Sequence, residues 1–183
     1  MNFPLVDGVV LRPLAVDDAE ALAEAYTRNR EHLRRWDPDR PDDFFTPEGQ
    51  AARVQDQLEQ RSTGRLVPYV LADGDTVVGC LNLNDIVLGA YRNAHLGYWV
   101  DARYNGRGLA TAATLAACRV ADEHLRLHRV QAVTLLDNVA SQRVLDKAGF
   151  EPIGVAPRYL HIDGSWQDHR LFQRILNERP PGS

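Results

Sequence analysis

The sequence holds no apolar run approaching the ~20 residues that a membrane-crossing helix requires, so no span is expected. Its first residues, MNFPLVDGVVLRPL, lack the basic region, long apolar core and cleavage pattern of a secretory leader; a cytoplasmic chain is the expectation. Cysteine is scarce. Cys80 falls in a strand-like apolar run and Cys118 in an alanine-rich helical one, the settings of small buried residues rather than of a disulfide or a metal pair. The histidines show no metal-ligand spacing and H-E-x-x-H is missing, so no metal is expected. Basic charge is not in excess either. The 21 lysines and arginines face 25 acidic residues, a net charge of −4, which argues against a general nucleic-acid binder. Repeats and low-complexity segments are also lacking. What remains is an ordinary globular composition, 44% hydrophobic and 25% charged over 183 residues, enough for one domain with its own core. That domain is expected to fill residues 1–183, with about 177–183 as a flexible tail.

The order of hydrophobic periods predicts the architecture. VVLRPL reads as a short strand stopped by Pro13. VDDAEALAEAYTRNREHLRRW (16–36) places Ala19, Leu22, Ala23, Tyr26 and Leu33 at helical spacing, with Asp17 or Asp18 to start the helix. The two prolines of DPDRPDDFF end it. TPEGQAARVQDQLEQRSTG carries Thr46 as N-cap, Pro47 at the first helical position and Gly64 just past the end. The period then changes. RLVPYVLAD, TVVGCLNLNDIVL and HLGYWV read as an antiparallel meander with turns at DGD and GAYRN. A helix from about Leu109 to Leu125 follows, then the strand RVQAVTLL. The short helix NVASQRVLDKAG, capped by Asn138 and stopped at Gly149, precedes a final hairpin around DGS. The resulting order, β-α-α-β-β-β-α-β-α-β-β, predicts an α+β (α/β layered) fold with helices flanking a mixed, mostly antiparallel sheet.

The junction RYNGRGLATAA, residues 103–113, carries two glycines around one arginine directly before the alanine-rich helix. A helix start leaves its first N–H groups unpaired and partly positive, so it can hold a phosphate. Gly106 and Gly108 would allow left-handed backbone and close ligand approach, and Arg107 and Arg103 would add charge. On these residues alone a plain turn remains equally open. The Gly-Lys-Ser/Thr of a P-loop is missing, and Thr111 stands where a dinucleotide fingerprint needs its third glycine.

The spacing R-x-x-G-x-G-x-A, here Arg103, Gly106, Gly108 and Ala110, resembles the pyrophosphate loop of the GNAT N-acetyltransferase superfamily. Downstream, DNVASQRVLDKAGF resembles that family's N-x-x-S…K-x-G-F segment, here Asn138, Ser141, Lys147, Gly149 and Phe150. The segments LRPLAVDDAEAL, NREHLRRWDP, LGYWVD and YLHIDGSWQDHRLF are similar to the RimJ/RimL-like ribosomal-protein alanine and serine N-terminal acetyltransferases, so the likeness runs from about residue 9 to 176. The resemblance implies acetyl transfer from acetyl-CoA to a primary amine, a protein N-terminus of the ribosomal type, in a ternary complex without an acyl-enzyme. It also implies roles. Arg103, Asn105, Gly106, Arg107, Gly108, Leu109, Ala110 and Thr111 would hold the pyrophosphate. The backbone of Tyr98, Trp99 and Val100 would hold the pantetheine arm and the thioester carbonyl. Asn138, Ser141 and Arg143 would complete the cofactor site, with Ser141 also donating to the departing sulfur. His95 stands where many relatives carry a glutamate base, and an imidazole can accept a proton near neutral pH. Trp36, Tyr159 and Trp166 would lie on the acceptor side.

Plainer readings stand beside these. Ser141 also reads as an early-helix serine bonding the backbone, and His95 as a solvent-facing strand residue. Asp168 and His169 read as a structural pair. Arg28, Arg30, Arg34 and Arg35 read as a solvated helix face, the one candidate for RNA contact in a chain not expected to bind nucleic acid. An acceptor that is a small amine or antibiotic predicts a closed pocket; a peptide predicts an open groove between DPDRPDDFF and the final hairpin. A non-catalytic CoA-binding sensor is the alternative outside the enzymes. Monomer and homodimer are both compatible with the pattern.

Overall fold

Eight strands form one sheet in a computed structural model that describes residues 1–181. In chain order the elements are β1 (Phe3–Pro4), β2 (Val10–Pro13), α1 (Ala19–Arg28), α2 (Arg30–Arg34), α3 (Pro47–Ser62), β3 (Val67–Asp73), β4 (Thr76–Val87) and β5 (Asn93–Val100). Then come α4 (Leu109–Glu123), β6 (Arg129–Leu135), α5 (Val139–Lys147), β7 (Glu151–Ile162) and β8 (Ser165–Ile175). The spatial order is β1-β2-β3-β4-β5-β6-β8-β7. Among the described residues only the β5–β6 pair is parallel, because α4 carries the chain across between them. This is the mixed, mostly antiparallel sheet that the pattern predicts.

The two faces are covered differently. Ala113, Ala116, Ala117 and Ala121 of α4 are buried against Leu81, Leu83, Leu96 and Val130 on one face. Small side chains let that helix lie close to the strands. Leu22, Tyr26 and Val54 of α1 and α3 pack on Val70, Val77 and Cys80 on the other. Thr46 and Asn138 cap α3 and α5 by accepting from Gly49 N and Ser141 N, both at 3.1 Å. Asp18 starts α1 differently. Its carboxylate accepts from Arg12 at 2.6 and 2.8 Å and from Ala15 N at 2.8 Å, tying the end of β2 to the helix start. Cys80 and Cys118 are buried and unpaired, and burial pushes both thiols up to about 11.

Three features depart from the pattern reading. The two-residue β1 is too short to show a period. The helix expected over 16–36 breaks at the buried Asn29. The Asn29 amide donates to Ala25 O at 2.9 Å and its Oδ1 accepts from Ala102 N at 3.0 Å, so the side chain competes with the helical backbone. The expected free tail is tied down through Arg179. Asn177 Nδ2 donates to Asp122 and to Leu127 O, each at 2.8 Å, and Arg179 pairs with Asp122. Residues 182–183 lie outside the described residues. Among the described residues no helix is long and apolar enough to cross a membrane, and no group of three His, Cys, Asp or Glu side chains gathers as a metal site.

Candidate active site

β5 runs alongside β6 from Asn93↔Arg129 to Leu96↔Ala132 and no further, while its pairing with β4 continues to Gly79↔Val100. The last residues of β5 therefore border a gap in the sheet. Asp101 N donates to Val78 O at 2.8 Å, and the Trp99 carbonyl lies against Gly79, so odd-numbered backbone groups face β4. Strand alternation turns the N–H groups of Tyr98 and Val100 toward the gap. The backbone role implied for Trp99 is thus unavailable, since its polar groups belong to the β4 ladder. Its indole instead lines the cleft, with Nε1 donating to Tyr26 Oη at 3.0 Å.

A cleft of about 480 Å³ opens along this gap, between the N-terminus of α4 and the face of α5. Tyr98, Trp99, Val100, Asn105, Gly106, Gly108, Leu109, Ala110, Thr111, Asn138, Ser141 and Arg143 line it, as does Trp36. Gly106 and Gly108 have φ of 78° and 79°, the left-handed region that disfavours side chains, and Gly108 is the N-cap of α4. The free N–H groups of the first α4 turn thus face the cleft.

Arg103 and Arg107 are not among the lining residues. The Arg103 guanidinium is committed to Asp101, at 3.1 and 2.9 Å, and Arg28 Nε reaches the same carboxylate at 2.8 Å. Burial pushes the Asp101 carboxyl up, but the bonds from Arg103 and Arg28 outweigh it and hold the group well below the usual carboxylate range. Arg107 lies over the Tyr104 ring, 5.0 Å from its centroid, and 3.9 Å from Asp7. The cations that do line the cleft are Arg143 and Lys147 of α5. Ala140, Val144 and Lys147 recur at i, i+4 and i+7, so the helical period holds the signal for this wall, although the resemblance gives cofactor roles on α5 only to Ser141 and Arg143 and names Lys147 only within the motif. His32 and Leu33, also lining, had no such signal, because the break at Asn29 aims them.

Ser141 does not bond the helix backbone with its hydroxyl. Its Oγ lies 2.8 Å from Tyr98 Oη, and burial pushes that phenol up to about 12. His95 is half-buried in the paired part of β5, beside Asn84 and Gln131, on the sheet face opposite Tyr98 and outside the cleft. Tyr159 and Trp166 do not line the cleft. Tyr159 packs on the buried His169 at a bulge of β7, where Arg158 N donates to Asp168 at 2.8 Å. Asp168 therefore pins the bulge, a structural task. Trp166 is exposed, edge-on to His161. The hairpin tip meets the proline-bearing loop through Gly164 N to Asp39, at 3.2 Å, and the end of α2 through Arg34 to Asp163, at 4.0 Å. The arginine run is not a free basic face: Arg28, Arg30, Arg34 and Arg35 pair with Asp101, Asp42, Asp163 and Asp137.

Residues 9–151 match the acetyltransferase (GNAT) domain family. The chain is a GNAT acetyltransferase. It is 36% identical to the probable N-acetyltransferase YjcK of Bacillus subtilis, over 92% of this chain and 94% of that protein. It is also similar to the ribosomal-protein-S5-alanine acetyltransferase of Vibrio fischeri, at 30% identity and a TM-score of 0.94, covering 99% of this chain and 100% of that one. Mycobacterium smegmatis RimJ, solved in complex with CoA-disulfide, is 30% identical with a TM-score of 0.90, covering 95% of this chain and 86% of that one. This GNAT enzyme is therefore an acyltransferase in fold and kind, and the sensor reading falls away.

Proposed function

We propose that this GNAT enzyme transfers the acetyl group of acetyl-CoA to the α-amino group of a protein N-terminus, of the ribosomal-protein type. The observation that carries the cofactor half is the gap between β5 and β6, which opens straight onto the N-terminus of α4. The residues present fit acetyl-CoA. A Cβ built on Gly106 or Gly108 meets no protein atom within 4 Å, so the loop leaves room for a ligand against bare backbone. The first N–H groups of α4, with Arg143 and Lys147 opposite, suit the pyrophosphate. The N–H groups of Tyr98 and Val100 suit the amides and thioester carbonyl of the arm, and a donor placed where an oxyanion develops is worth about 3 kcal/mol. Asn138 and Ser141 suit the thioester end. The acceptor half rests on the likeness to the Vibrio fischeri enzyme, whose name specifies a ribosomal-protein alanine.

An α-amino group has a pKa near 8, against about 10.4 for lysine, so it needs only a weak base to lose its proton. His95, expected as that base, lies outside the cleft on the opposite face of the sheet, so orientation of the amine rather than a side-chain base is expected to supply most of the rate.

Titration calorimetry is expected to find micromolar acetyl-CoA affinity that weakens for fragments lacking the pyrophosphate. Gly108→Asn, a residue that tolerates the left-handed region better than Val, is expected to lower that affinity at least about tenfold with little loss of Tm. Unchanged affinity in that variant removes the phosphate cradle. For the acceptor, CoA-SH release is expected with peptides beginning in Ala or Ser and not with small amines. The reverse result selects the small-amine reading, which the contacts of the hairpin tip with Asp39 and Arg34 favour. Those contacts are exposed, worth at most about 1 kcal/mol each, so an arriving peptide could displace them. In the same assay, His95→Gln is expected to leave the rate unchanged at about pH 7 to 8, where an imidazole would be in its base form; a loss of rate there would return the imidazole to the chemistry.

A further inference from the structure

We propose that Tyr98 is a positioning residue whose hydroxyl aims the Ser141 O–H at the sulfur leaving from acetyl-CoA. The proposal rests on the acetyl-CoA reading above and adds to it a side chain that does not itself touch the reacting atoms.

Tyr98 leaves β5 where β6 no longer pairs, and its phenol crosses to α5. There Tyr98 Oη lies 2.8 Å from Ser141 Oγ and 3.4 Å from the Ser141 carbonyl. A serine in a first helical turn ordinarily bonds nearby backbone. Here, among the described residues, the Ser141 hydroxyl has Tyr98 as its one hydrogen-bond partner. A hydroxyl offers one proton and two lone pairs. If Ser141 donated to the phenol, the Tyr98 proton would be left with the long contact to the carbonyl. If Tyr98 donates to Oγ, the short bond is kept and the serine proton stays free. Ser141 lines the cleft, so that proton is offered to whatever lies there.

The pair acts as a fixed dipole rather than as an acid. A thiol ionises near pH 8.5, and burial holds the Tyr98 phenol at about 12, so a proton passed from these hydroxyls to the sulfur would run uphill. When the C–S bond breaks, its electron pair stays on sulfur, and the proton lost by the amine goes to its base and then to solvent. Ser141 keeps its proton and hydrogen-bonds the thiolate, strengthened by the bond it accepts from Tyr98.

The direct test is the ionisation of CoA bound to the full-length enzyme, followed by the ultraviolet absorbance of the thiolate. In the wild type the bound thiol should ionise about one pH unit below free CoA. In Tyr98→Phe, which keeps the buried ring, and in Ser141→Ala, it should return toward the free value. Affinity for CoA measured well below pH 8 should stay within about twofold, since the neutral thiol gains little from the bond. In turnover, Tyr98→Phe should lower kcat about tenfold with KM for acetyl-CoA unchanged. The double variant should be no slower than Ser141→Ala alone. A wild-type thiol ionisation in Tyr98→Phe overturns the proposal. Should that variant not fold, a wild-type thiol ionisation in Ser141→Ala overturns it equally, because Tyr98 acts only through Ser141. Failure of the wild type to bind CoA at all would instead remove the reading of the cleft, and this proposal with it.

Discussion

Replacing Asp101 by alanine is expected to lower the stability of the protein by about 3 kcal/mol and to weaken acetyl-CoA binding with it. Asp101 is 1% exposed. Its carboxylate accepts from Arg103 N at 2.9 Å, from the Arg103 side chain, and from Arg28 Nε at 2.8 Å. Arg28 also donates to Val77 O at 2.9 Å, and its neighbour Asn29 accepts from Ala102 N at 3.0 Å. One carboxylate thus clamps the end of α1, the bulged start of β4 and the segment that leads into the glycine loop. More than half of the Arg103 side chain is exposed, so solvent discounts that pair, and most of the loss comes from leaving Arg28 without its anion. The same bonds fix the pH dependence. Because the folded-state carboxyl sits well below the ordinary value near 3.9, its contribution is complete above about pH 4 and is lost as the pH falls toward the folded value. Denaturant unfolding should therefore show a steeper acid decline in the wild type than in Asp101→Asn. Parallel declines would deny the carboxylate this role.

Gly79→Ala should do comparable damage by a different route. The new Cβ would lie 2.5 Å from the Trp99 carbonyl oxygen and 3.3 Å from Val100 Cα. Both obstacles are backbone, so no side chain can rotate away and the end of β5 itself must move. A loss of about 2 kcal/mol is expected from the overpacking. The functional loss should be larger in proportion, at least about tenfold in acetyl-CoA affinity, because the strand displaced is the one whose N–H groups border the cleft. Gly97→Ala is the control. Its Cβ would meet only the Asn84 amide, at 3.3 Å, and that side chain can yield. Equal affinity losses in the two variants would show that the β4–β5 spacing at Gly79 has no special bearing on the cleft.

Much of this molecule was legible before any coordinates. The Thr46–Pro47 start of α3, the Asn138 cap of α5 and the meander of β3 to β5 follow from hydrophobic period and from side chains that bond backbone three residues away. Gly108 was legible as well, since only glycine enters the left-handed region freely and the residues on either side already call for a helix start. These are local matters, decided within a turn or two of chain.

What tertiary structure alone decided lies between residues far apart in sequence. Arg103 belongs to a recognisable motif, yet its charge is taken by Asp101 and shared with Arg28, 73 residues upstream of that carboxylate. The Ser141 hydroxyl turns from its own helix to Tyr98, 43 residues away, because β6 parts from β5 and leaves a gap that the phenol can cross. The helix over 16–36 breaks at Asn29 because that amide finds Ala102, just before the glycine loop, and the break carries His32 and Trp36 to the cleft. The sequence by itself determined most of the helices and strands and the glycine turn before α4, since hydrophobic period and backbone capping act locally. Which polar groups face the cleft, and which are already taken, depended on buried partners brought together by packing, where an unpaired charge or hydroxyl is too costly to leave.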